Sequence, residues 1–179
     1  MSEKRIAVRY AKSLVNLAEE KGFLDEIQAD MLLVHNVCKE NRQLRVMLKN
    51  PVILSHNKRA ILDKIFKGKV GELTTKFFKV ISRKNRIDVL PAIAGEVISL
   101  YNTLKDLQVA TVATSIPLTV EMRSKIIKIV EETSGKKALL QETVNEDLIG
   151  GFVLRIGDQQ IDNSISGKLN KLKIQLVDA

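Results

Sequence analysis

The chain has 179 residues, of which 45% are apolar and 4% aromatic, and its net charge is +8. This composition is typical of a globular protein with one or two domains. The scarcity of aromatic side chains argues against a surface that stacks bases or sugars. The single cysteine, Cys38, excludes an internal disulfide and suits a reducing compartment. We expect it to be a buried thiol without chemistry.

Residue types that support catalysis or metal binding are not clustered. His35 and His56 lie in different predicted helices, away from any Cys or carboxylate group at metal-ligand spacing. Neither histidine lies near a candidate nucleophile. The carboxylate pairs Glu19-Glu20 and Glu131-Glu132 point about 100° apart on a helix, so neither pair shares an acid–base site. We therefore expect no metal, no cofactor and no enzymatic activity.

The start of the chain does not look like a secretory signal, because Glu3, Lys4 and Arg5 interrupt it. No apolar run approaches the roughly 20 residues of a membrane span. If the protein works near a membrane, we expect another protein to hold it there.

The positive charge is unevenly distributed. Residues 1–108 contain 20 Lys and Arg against 12 Asp and Glu, whereas residues 109–179 contain 9 against 9. An acidic partner or a nucleic acid would suit the first part, and a solvated basic face explains the charge equally well. A basic helical RNA-binding protein is therefore an alternative function, and it predicts an affinity that falls steeply with salt.

Apolar residues recur at intervals of three and four in the first 108 residues, which predicts helices. Gly22 ends the first helix, and Asn50-Pro51 ends the third because proline disfavours helical geometry in the residue before it. Asp25, Ser55 and Asp88 are the predicted N-caps of the second, fourth and sixth helices. The six expected helices form a compact bundle and lie at about 4–21, 25–41, 43–49, 55–66, 72–84 and 89–107.

After Leu107 the apolar period changes towards two, which predicts strands. A helix capped by Thr119 interrupts them, and a final helix begins at about Ser164. The expected fold is α+β, with a six-helix bundle over residues 1–107 and a small α/β domain over residues 108–179. The predicted strands lie at 108–116, 138–144, 148–156 and 159–161. The final helix places four apolar residues on one face, namely Ile165, Leu169, Leu172 and Leu176.

The glycine-rich stretch from Gly150 to Leu172 fits no nucleotide-binding loop. A phosphate loop needs a glycine five residues before its Gly-Lys pair and a Ser or Thr after it. Asp162 and Leu169 occupy those positions around Gly167-Lys168. We expect these glycines to be structural.

Each conspicuous residue of this stretch has a local explanation. Gly157-Asp158 predicts a hairpin turn, and Gly150-Gly151 predicts a bulge or a close backbone approach within a strand. Asp162 or Ser164 caps the final helix, with Asn163 left-handed between them. Arg155 is expected to pair with Asp158 or Asp162, or to point outward.

The first predicted helix has a broader apolar face than a surface helix needs. At 100° per residue its apolar side chains span about 200°, roughly twice the usual stripe. Tyr10 adds a large ring with a polar tip, a residue type enriched at interfaces. In the fifth predicted helix, one face is formed by Leu73, Phe77, Val80 and Ile81. Both helices either lie centrally in their own bundle or form a groove for an amphipathic helix of a partner.

Three segments resemble one protein family. They are "RYAKSL" in the first helix, "NRIDVLP" before the sixth and "IGGFVLRIGDQQIDNSISGKLNKL" near the end. Together they resemble the δ subunit of the bacterial F-type ATP synthases, whose mitochondrial relative confers oligomycin sensitivity, and the last segment is the most specific. Two positions depart from the family pattern: Asn163 stands where a glycine is frequent, and Val15 where an aromatic residue is common.

The resemblance implies a non-catalytic stator subunit. In that family a six-helix N-terminal domain sits on the catalytic head and holds an N-terminal helix of an α subunit between its first and fifth helices. The C-terminal domain meets the b subunits of the peripheral stalk. The expected location is peripheral, at the cytoplasmic face of a bacterial inner membrane, because no transit-like extension precedes the first helix. Carried over to this sequence, the groove residues are Tyr10, Ala11, Leu14, Phe77 and Val80.

Overall fold

The computed structural model describes residues 3–177, apart from the side chains of residues 171, 172 and 174–177. The chain divides into two compact units, Met1–Tyr101 and Asn102–Ala179. The first unit is helical, and the second combines helices with a four-stranded sheet. The α+β class predicted from the sequence is therefore confirmed.

The helices of the first unit surround one core. Each contributes the apolar face that its three- and four-residue periodicity predicts, and the largest fully buried side chains include Met31, Phe66 and Phe78. A 3₁₀ turn, Ile87–Val89, precedes the last helix. The helices are α1 (Glu3–Lys21), α2 (Leu24–Glu40), α3 (Arg42–Lys49), α4 (Ser55–Phe66), α5 (Glu72–Arg83) and α6 (Leu90–Leu104).

One stretch of the first unit resembles a membrane span in length and composition. Ile87–Leu104 is long and apolar enough to cross a bilayer by those two criteria alone, contrary to the expectation that no apolar run approaches the length of a span. However, Leu90, Ile93 and Val97 are buried in the core of the first unit, and Glu96 interrupts the apolar run. A buried core helix meets the same criteria, and the packing of α6 is that of a core helix.

Helix ends follow the sequence in some places and not in others. Gly22 follows α1 with a φ of +73°, α3 ends at Lys49 just before Asn50-Pro51, and both outcomes confirm the predictions. The three N-caps predicted for this unit are wrong. Asp25 lies in the first turn of α2 and accepts a hydrogen bond from the Tyr101 hydroxyl at 2.7 Å. Ser55 is the first residue of α4, and Asp88 lies inside the 3₁₀ turn.

Two buried charged side chains satisfy helix ends from neighbouring helices. Lys58 on α4 donates from Nζ to the carbonyl oxygen of Leu48 at 2.6 Å, in the last turn of α3. Asp30 on α2 accepts through Oδ2 from the backbone N–H of Gly71 at 2.8 Å and from the Thr74 hydroxyl at 2.5 Å, at the start of α5. Backbone groups at helix ends lack intrahelical partners, so these side chains join α3 to α4 and α2 to α5.

Cys38 is buried in the core of the first unit, with 1% of its surface exposed. Burial disfavours the thiolate and raises the pKa of the thiol to about 11, against a small opposing effect of Arg45. We expect iodoacetamide at about pH 8 to leave the native protein unmodified and to label it fully in urea. Rapid labelling without denaturant would contradict this burial.

The raised pKa also sets a pH dependence. Because the folded thiol holds its proton more tightly than the unfolded one, this contribution to stability is present below about pH 9 and is lost as the pH rises towards 11.

The second unit is a sheet with one helix packed on it. Strand order is β2-β1-β3-β4, with β1 parallel to β2 and the other pairs antiparallel. Ile126 and Val130 of α7 pack against the buried side chains of β1 and β3. The elements are β1 (Leu107–Thr114), α7 (Val120–Ser134), β2 (Lys137–Val144), β3 (Phe152–Ile156), β4 (Gln159–Asp162) and α8 (Ile165–Val177).

Side-chain hydrogen bonds cap α7 and connect it to β2. The Thr119 hydroxyl accepts from the backbone N–H of Met122 at 3.3 Å, which confirms the predicted cap. Arg123 donates to both carboxylate oxygens of Glu142 on β2, at 2.6 and 3.0 Å. These hydrogen bonds lower the pKa of Glu142.

The glycine-rich stretch confirms some predictions and corrects others. Gly157, with a φ of +56°, turns β3 into β4, as predicted. The third strand is shorter than expected, because Glu146–Leu148 form a 3₁₀ turn and β3 starts at Phe152. Gly150-Gly151 therefore lies before the strand. Gly151 has a φ of +78°, and a Cβ there would lie 2.3 Å from the carbonyl oxygen of Asn163, so the predicted close backbone approach is real.

The start of α8 uses both predicted capping residues. The Ser164 hydroxyl accepts from the backbone N–H of Gly167 at 3.0 Å, and Asp162 accepts from the backbone N–H of Ser164 at 2.9 Å. Asn163 does not adopt the predicted left-handed conformation, because its φ is not positive.

Two further predictions concern this end of the chain. Arg155 is exposed and donates to Gln160 at 3.1 Å, across from it on β4. On α8, Ile165 and Leu169 are exposed, and the side chains of Leu172 and Leu176 lie outside the described residues.

Candidate partner-binding surfaces

An aromatic contact joins α1 and α5. The rings of Tyr10 and Phe77 meet edge to face, with centroids 6.5 Å apart and planes at 70°. At the C-terminal end of α1, Lys21 and Phe23 line a shallow concavity together with Leu73, which lies at the start of α5. Residues late in α1 thus face residues early in α5, so the two helices run antiparallel.

The predicted groove residues fall into two layers. Ala11 and Leu14 are buried and belong to the core, and Phe77 is nearly so. Tyr10 is partly exposed, and Val80 is 48% exposed. The structure therefore brings Tyr10 and Phe77 into contact and places Ala11 and Leu14 beneath the surface. Only Tyr10 and Val80 present substantial area outward.

The exposed apolar surface extends beyond the predicted residues. Leu17 lies two turns after Tyr10 and is exposed, and Leu73 lies one turn before Phe77 and is partly exposed. Phe23 is also exposed, and sequence reasoning missed it because it lies in the turn between two helices, where periodicity gives no signal. We call the surface formed by Tyr10, Leu17, Leu73, Phe77 and Val80 the α1–α5 strip.

Charged residues border one end of the α1–α5 strip. Lys76 Nζ lies 2.6 Å from the carboxylate of Glu72, one turn earlier on α5. The hydrogen bond from Lys76 lowers the pKa of Glu72. Both side chains are exposed, so the pair contributes little to stability, and an apolar surface with a charged border is typical of protein interfaces.

A second apolar surface lies on the second unit. A cleft of about 430 Å³ opens between the end of β1, the start of α7 and the Gly150-Gly151 turn. Ile116 and Met122 line it and are exposed. We call it the apolar cleft, and its main lining side chains are Ile116, Leu118, Met122, Ile126, Ile129 and Phe152.

Two glycines join the apolar cleft to the start of α8. Gly150 and Gly151 form part of its lining, and a Cβ at Gly150 would lie 2.7 Å from Cδ1 of Ile165. Residues with a side chain at these two positions would therefore collide with the start of α8 and the segment before it, so the glycines let the turn that lines the cleft pack against α8. Sequence reasoning assigned these glycines a structural role and missed the cleft, because its walls come from segments more than 20 residues apart.

Metal-ligating side chains are dispersed in the part of the chain that the structure describes. Within residues 3–170 and at residue 173, no group of three or more His, Cys, Asp or Glu side chains is arranged to hold a metal ion. The two surfaces that stand out are both apolar, and apolar surfaces of this kind bind other macromolecules.

Comparison with known proteins decides the family. A sequence model described as "ATP synthase delta (OSCP) subunit" matches residues 6–176. The chain belongs to this family. It is 39% identical over 173 residues to the ATP synthase subunit delta of Cytophaga hutchinsonii, covering 97% of this chain and 94% of that one. It is 35% identical over 178 residues to the subunit delta of Christiangramia forsetii, covering 99% and 96%.

Relatives also occur outside bacteria. The chloroplastic ATP synthase delta chain of Chlamydomonas reinhardtii is 35% identical over 176 residues, covering 97% of this chain and 80% of that one. A chain in the Toxoplasma gondii mitochondrial ATP synthase hexamer has the same fold, with a TM-score of 0.69 at 23% identity and coverage of 96% and 97%.

Family membership confirms the resemblance seen in the sequence. The chain is a non-catalytic, structural subunit of the F-type ATP synthase and a component of its peripheral stalk. It therefore belongs to a membrane-associated complex.

Proposed function

We propose that this subunit joins the catalytic head of the ATP synthase to the b subunits of the peripheral stalk and so resists the torque of the rotor. In this proposal the helices of Met1–Tyr101 act as one six-helix bundle that binds the N-terminal helix of an α subunit. The unit Asn102–Ala179 binds the b subunits. The subunit is then attached peripherally, at the cytoplasmic face of a bacterial inner membrane.

The α1–α5 strip is the observation that carries the proposal. It presents aromatic and aliphatic side chains along two antiparallel helices, which suits an amphipathic helix with anchors at i, i+3, i+4 and i+7. Tyr10 and Val80 would contact the partner helix directly. Ala11 and Leu14 would support the strip from the core. A stable joint of this kind buries about 1,200 Å² or more.

Val80→Asp is expected to weaken binding of an α-subunit N-terminal peptide by at least about tenfold, because the new carboxylate would lose water in an apolar interface. Val80 is 48% exposed, so the fold should persist. Isothermal titration calorimetry on the full chain measures the affinity. Tyr10→Ala should also weaken binding, with some loss of stability because the ring packs on Phe77.

A matched control is available on α3. Val46 is 59% exposed and lies three residues before the end of its helix, as Val80 does. Val46→Asp therefore makes the same chemical change in the same helical context. Equal affinities for the peptide in folded Val80→Asp, folded Val46→Asp and the wild type would refute the position of the groove.

For the second unit, we propose that the apolar cleft receives side chains of the b subunits. The cleft is lined mainly by apolar side chains together with Lys125, and Ile116 and Met122 of this lining are exposed. Apolar area of this kind supports stable association.

Met122→Asp is expected to reduce binding of a soluble b-subunit dimer by about tenfold, because the carboxylate would stand in the apolar cleft. Leu139→Asp is the control, since Leu139 is similarly exposed but lies on β2, outside the cleft. Surface-captured b dimer and full-length δ variants give the two affinities. If Leu139→Asp impaired binding more than Met122→Asp, the cleft would not be the contact.

A further inference from the structure

The excess positive charge of the first unit has a local origin. From Asn41 to Leu62 the chain contains five Lys and Arg and no Asp or Glu. Two of the five lie outside α3: Lys58 is buried and donates to the Leu48 carbonyl oxygen, and Arg59 lies 3.3 Å from Asp63. The remaining three, Arg42, Arg45 and Lys49, are on α3 and exposed.

These cations share one face of α3. We call this face the α3 ridge; it consists of Arg42, Arg45, Val46 and Lys49. The last three lie three, four and seven residues after Arg42, which is the spacing of residues on one face of a helix. The opposite face is fixed in the core by Leu44 and Leu48. The nearest ion pair is Lys49 with Glu3, at 3.8 Å between two side chains that are more than half exposed. Such an exposed ion pair contributes little to stability, so Lys49 can pair with a partner instead.

The α3 ridge is held in place at both ends. The side chain of Asn41 accepts from the backbone N–H of Leu44 at 3.1 Å and caps the helix. At the other end, Lys58 binds the Leu48 carbonyl, and the side chain of Asn50 accepts from the backbone N–H of Val52 at 2.9 Å. The charged face is therefore presented by a fixed backbone.

Exposed aliphatic side chains accompany the charges. Val46 lies within the ridge, and Val52 and Leu54 follow in the next turn with 83% and 61% of their surface exposed. A shallow concavity of about 590 Å³ is lined by Arg42, Arg45, Val46, Lys49 and Asn50. A merely solvated basic face would not cluster large aliphatic side chains beside its cations.

We propose that the α3 ridge binds an acidic amphipathic helix of a partner protein. Carboxylates of that helix would pair with Arg42, Arg45 and Lys49, since guanidinium groups bind carboxylates through two parallel hydrogen bonds. Its aliphatic residues would cover Val46 and its neighbours in the next turn. This interaction goes beyond the proposed function, because it uses none of the residues of the α1–α5 strip.

Charge complementarity indicates the occupant. The segment Arg42–Lys49 contains three exposed cations and no Asp or Glu, so its face complements the carboxylates of an acidic helix. A nucleic acid suits the surface less well, because residues 41–62 contain no Phe, Tyr or Trp for base stacking.

The probe is a synthetic helical peptide with Glu at positions matching the spacing of Arg42, Arg45 and Lys49 and with Leu between them. We expect it to bind the full chain, and Arg45→Gln/Lys49→Gln to weaken binding by at least about tenfold. The control Lys67→Gln/Lys69→Gln removes the same charge from the exposed turn after α4. It should change the affinity by less than about twofold. Binding of the α-subunit peptide should be unchanged in both variants, which separates this test from that of the α1–α5 strip.

Three results of this binding experiment would overturn the proposal: no binding of the acidic peptide, equal loss of affinity in the two double variants, or tighter binding of a single-stranded RNA that is lost in the α3 variant.

A second experiment uses the assembled ATP synthase. A photoreactive residue at position 46 should capture a peptide with carboxylates three or four residues apart. Capture of a peptide without such carboxylates would also contradict the proposal.

Discussion

Gly151→Ala is expected to unfold the second unit under conditions in which the wild-type unit is stable. Gly151 has a φ of +78°, and an added Cβ would lie 2.3 Å from the carbonyl oxygen of Asn163 and 3.0 Å from Cα of Ser164. Both are backbone atoms that no side-chain rotation can move. The left-handed backbone and the overlap together should destabilise the unit by about 3–5 kcal/mol, a large part of a small domain's stability.

The matched control is Gly135→Ala. Gly135 also has a positive φ, +68°, but a Cβ there would meet open space. Gly135 ends α7, where its N–H donates to the carbonyl oxygen of Glu131 at 2.8 Å. Alanine can keep this hydrogen bond and meets no neighbour, so it should lower the stability of the second unit by only about 1 kcal/mol, the cost of the left-handed backbone. Hydrogen exchange by mass spectrometry on the full chain reports each unit separately, with peptides from α2 as the internal reference. Similar protection of β1 and β3 in the two variants would contradict the role of the close backbone approach.

The effect at Gly151 bears on the proposed stalk contact. Ile165 donates its backbone N–H to the Gly150 carbonyl at 3.0 Å, and Asn163 donates to the Phe152 carbonyl at 3.0 Å. These bonds hold the start of α8 against the turn that lines the apolar cleft. A residue with a side chain at position 151 would separate them, so loss of b-subunit binding in Gly151→Ala would follow from unfolding. Met122→Asp is the variant that tests the surface itself.

Local chemistry was readable from the sequence. Periodicity located the helices, because each helix of the first unit buries a face spaced by three and four residues. The Asn50-Pro51 pair, the Thr119 cap and the Gly157 turn were predicted because each depends on a few neighbouring residues. The caps at Asp25 and Ser55 failed because capping requires the residue just outside the helix, and helix starts cannot be placed to within one residue from periodicity.

Contacts between segments distant in sequence could not be predicted from local patterns. The order of the strands and the walls of the apolar cleft depend on pairings between segments far apart in sequence.

The sequence did contain a weaker signal for the two buried charged residues. Asp30 stands among Ile27, Met31 and Val34, and Lys58 precedes Leu62 at a spacing of four, so both charges interrupt apolar faces. A charge at such a position is rarely buried without a partner, although the sequence does not identify the partner.

Asp30→Ala is expected to destabilise the first unit by about 2–4 kcal/mol, because it removes a buried carboxylate that accepts two hydrogen bonds. The partly buried N–H of Gly71 and the buried hydroxyl of Thr74 would then lose this acceptor. Gly71 precedes α5 and has no side chain of its own to cap it, so the negative charge of Asp30 also stabilises the N-terminus of that helix. Urea denaturation followed by circular dichroism measures the loss.

Two milder variants separate the contributions at Asp30. Asp30→Asn keeps one acceptor oxygen and should lose about 1–2 kcal/mol, and Thr74→Val removes one donor with little change of shape and should lose about 1 kcal/mol. Because α5 carries Phe77 and Val80, a loosened N-terminus should also weaken binding of the α-subunit peptide, with Asp30→Ala affected most. If Asp30→Ala unfolded at the same urea concentration as Thr74→Val, the carboxylate would not hold α2 and α5 together, and the α1–α5 strip would owe its position to apolar packing alone.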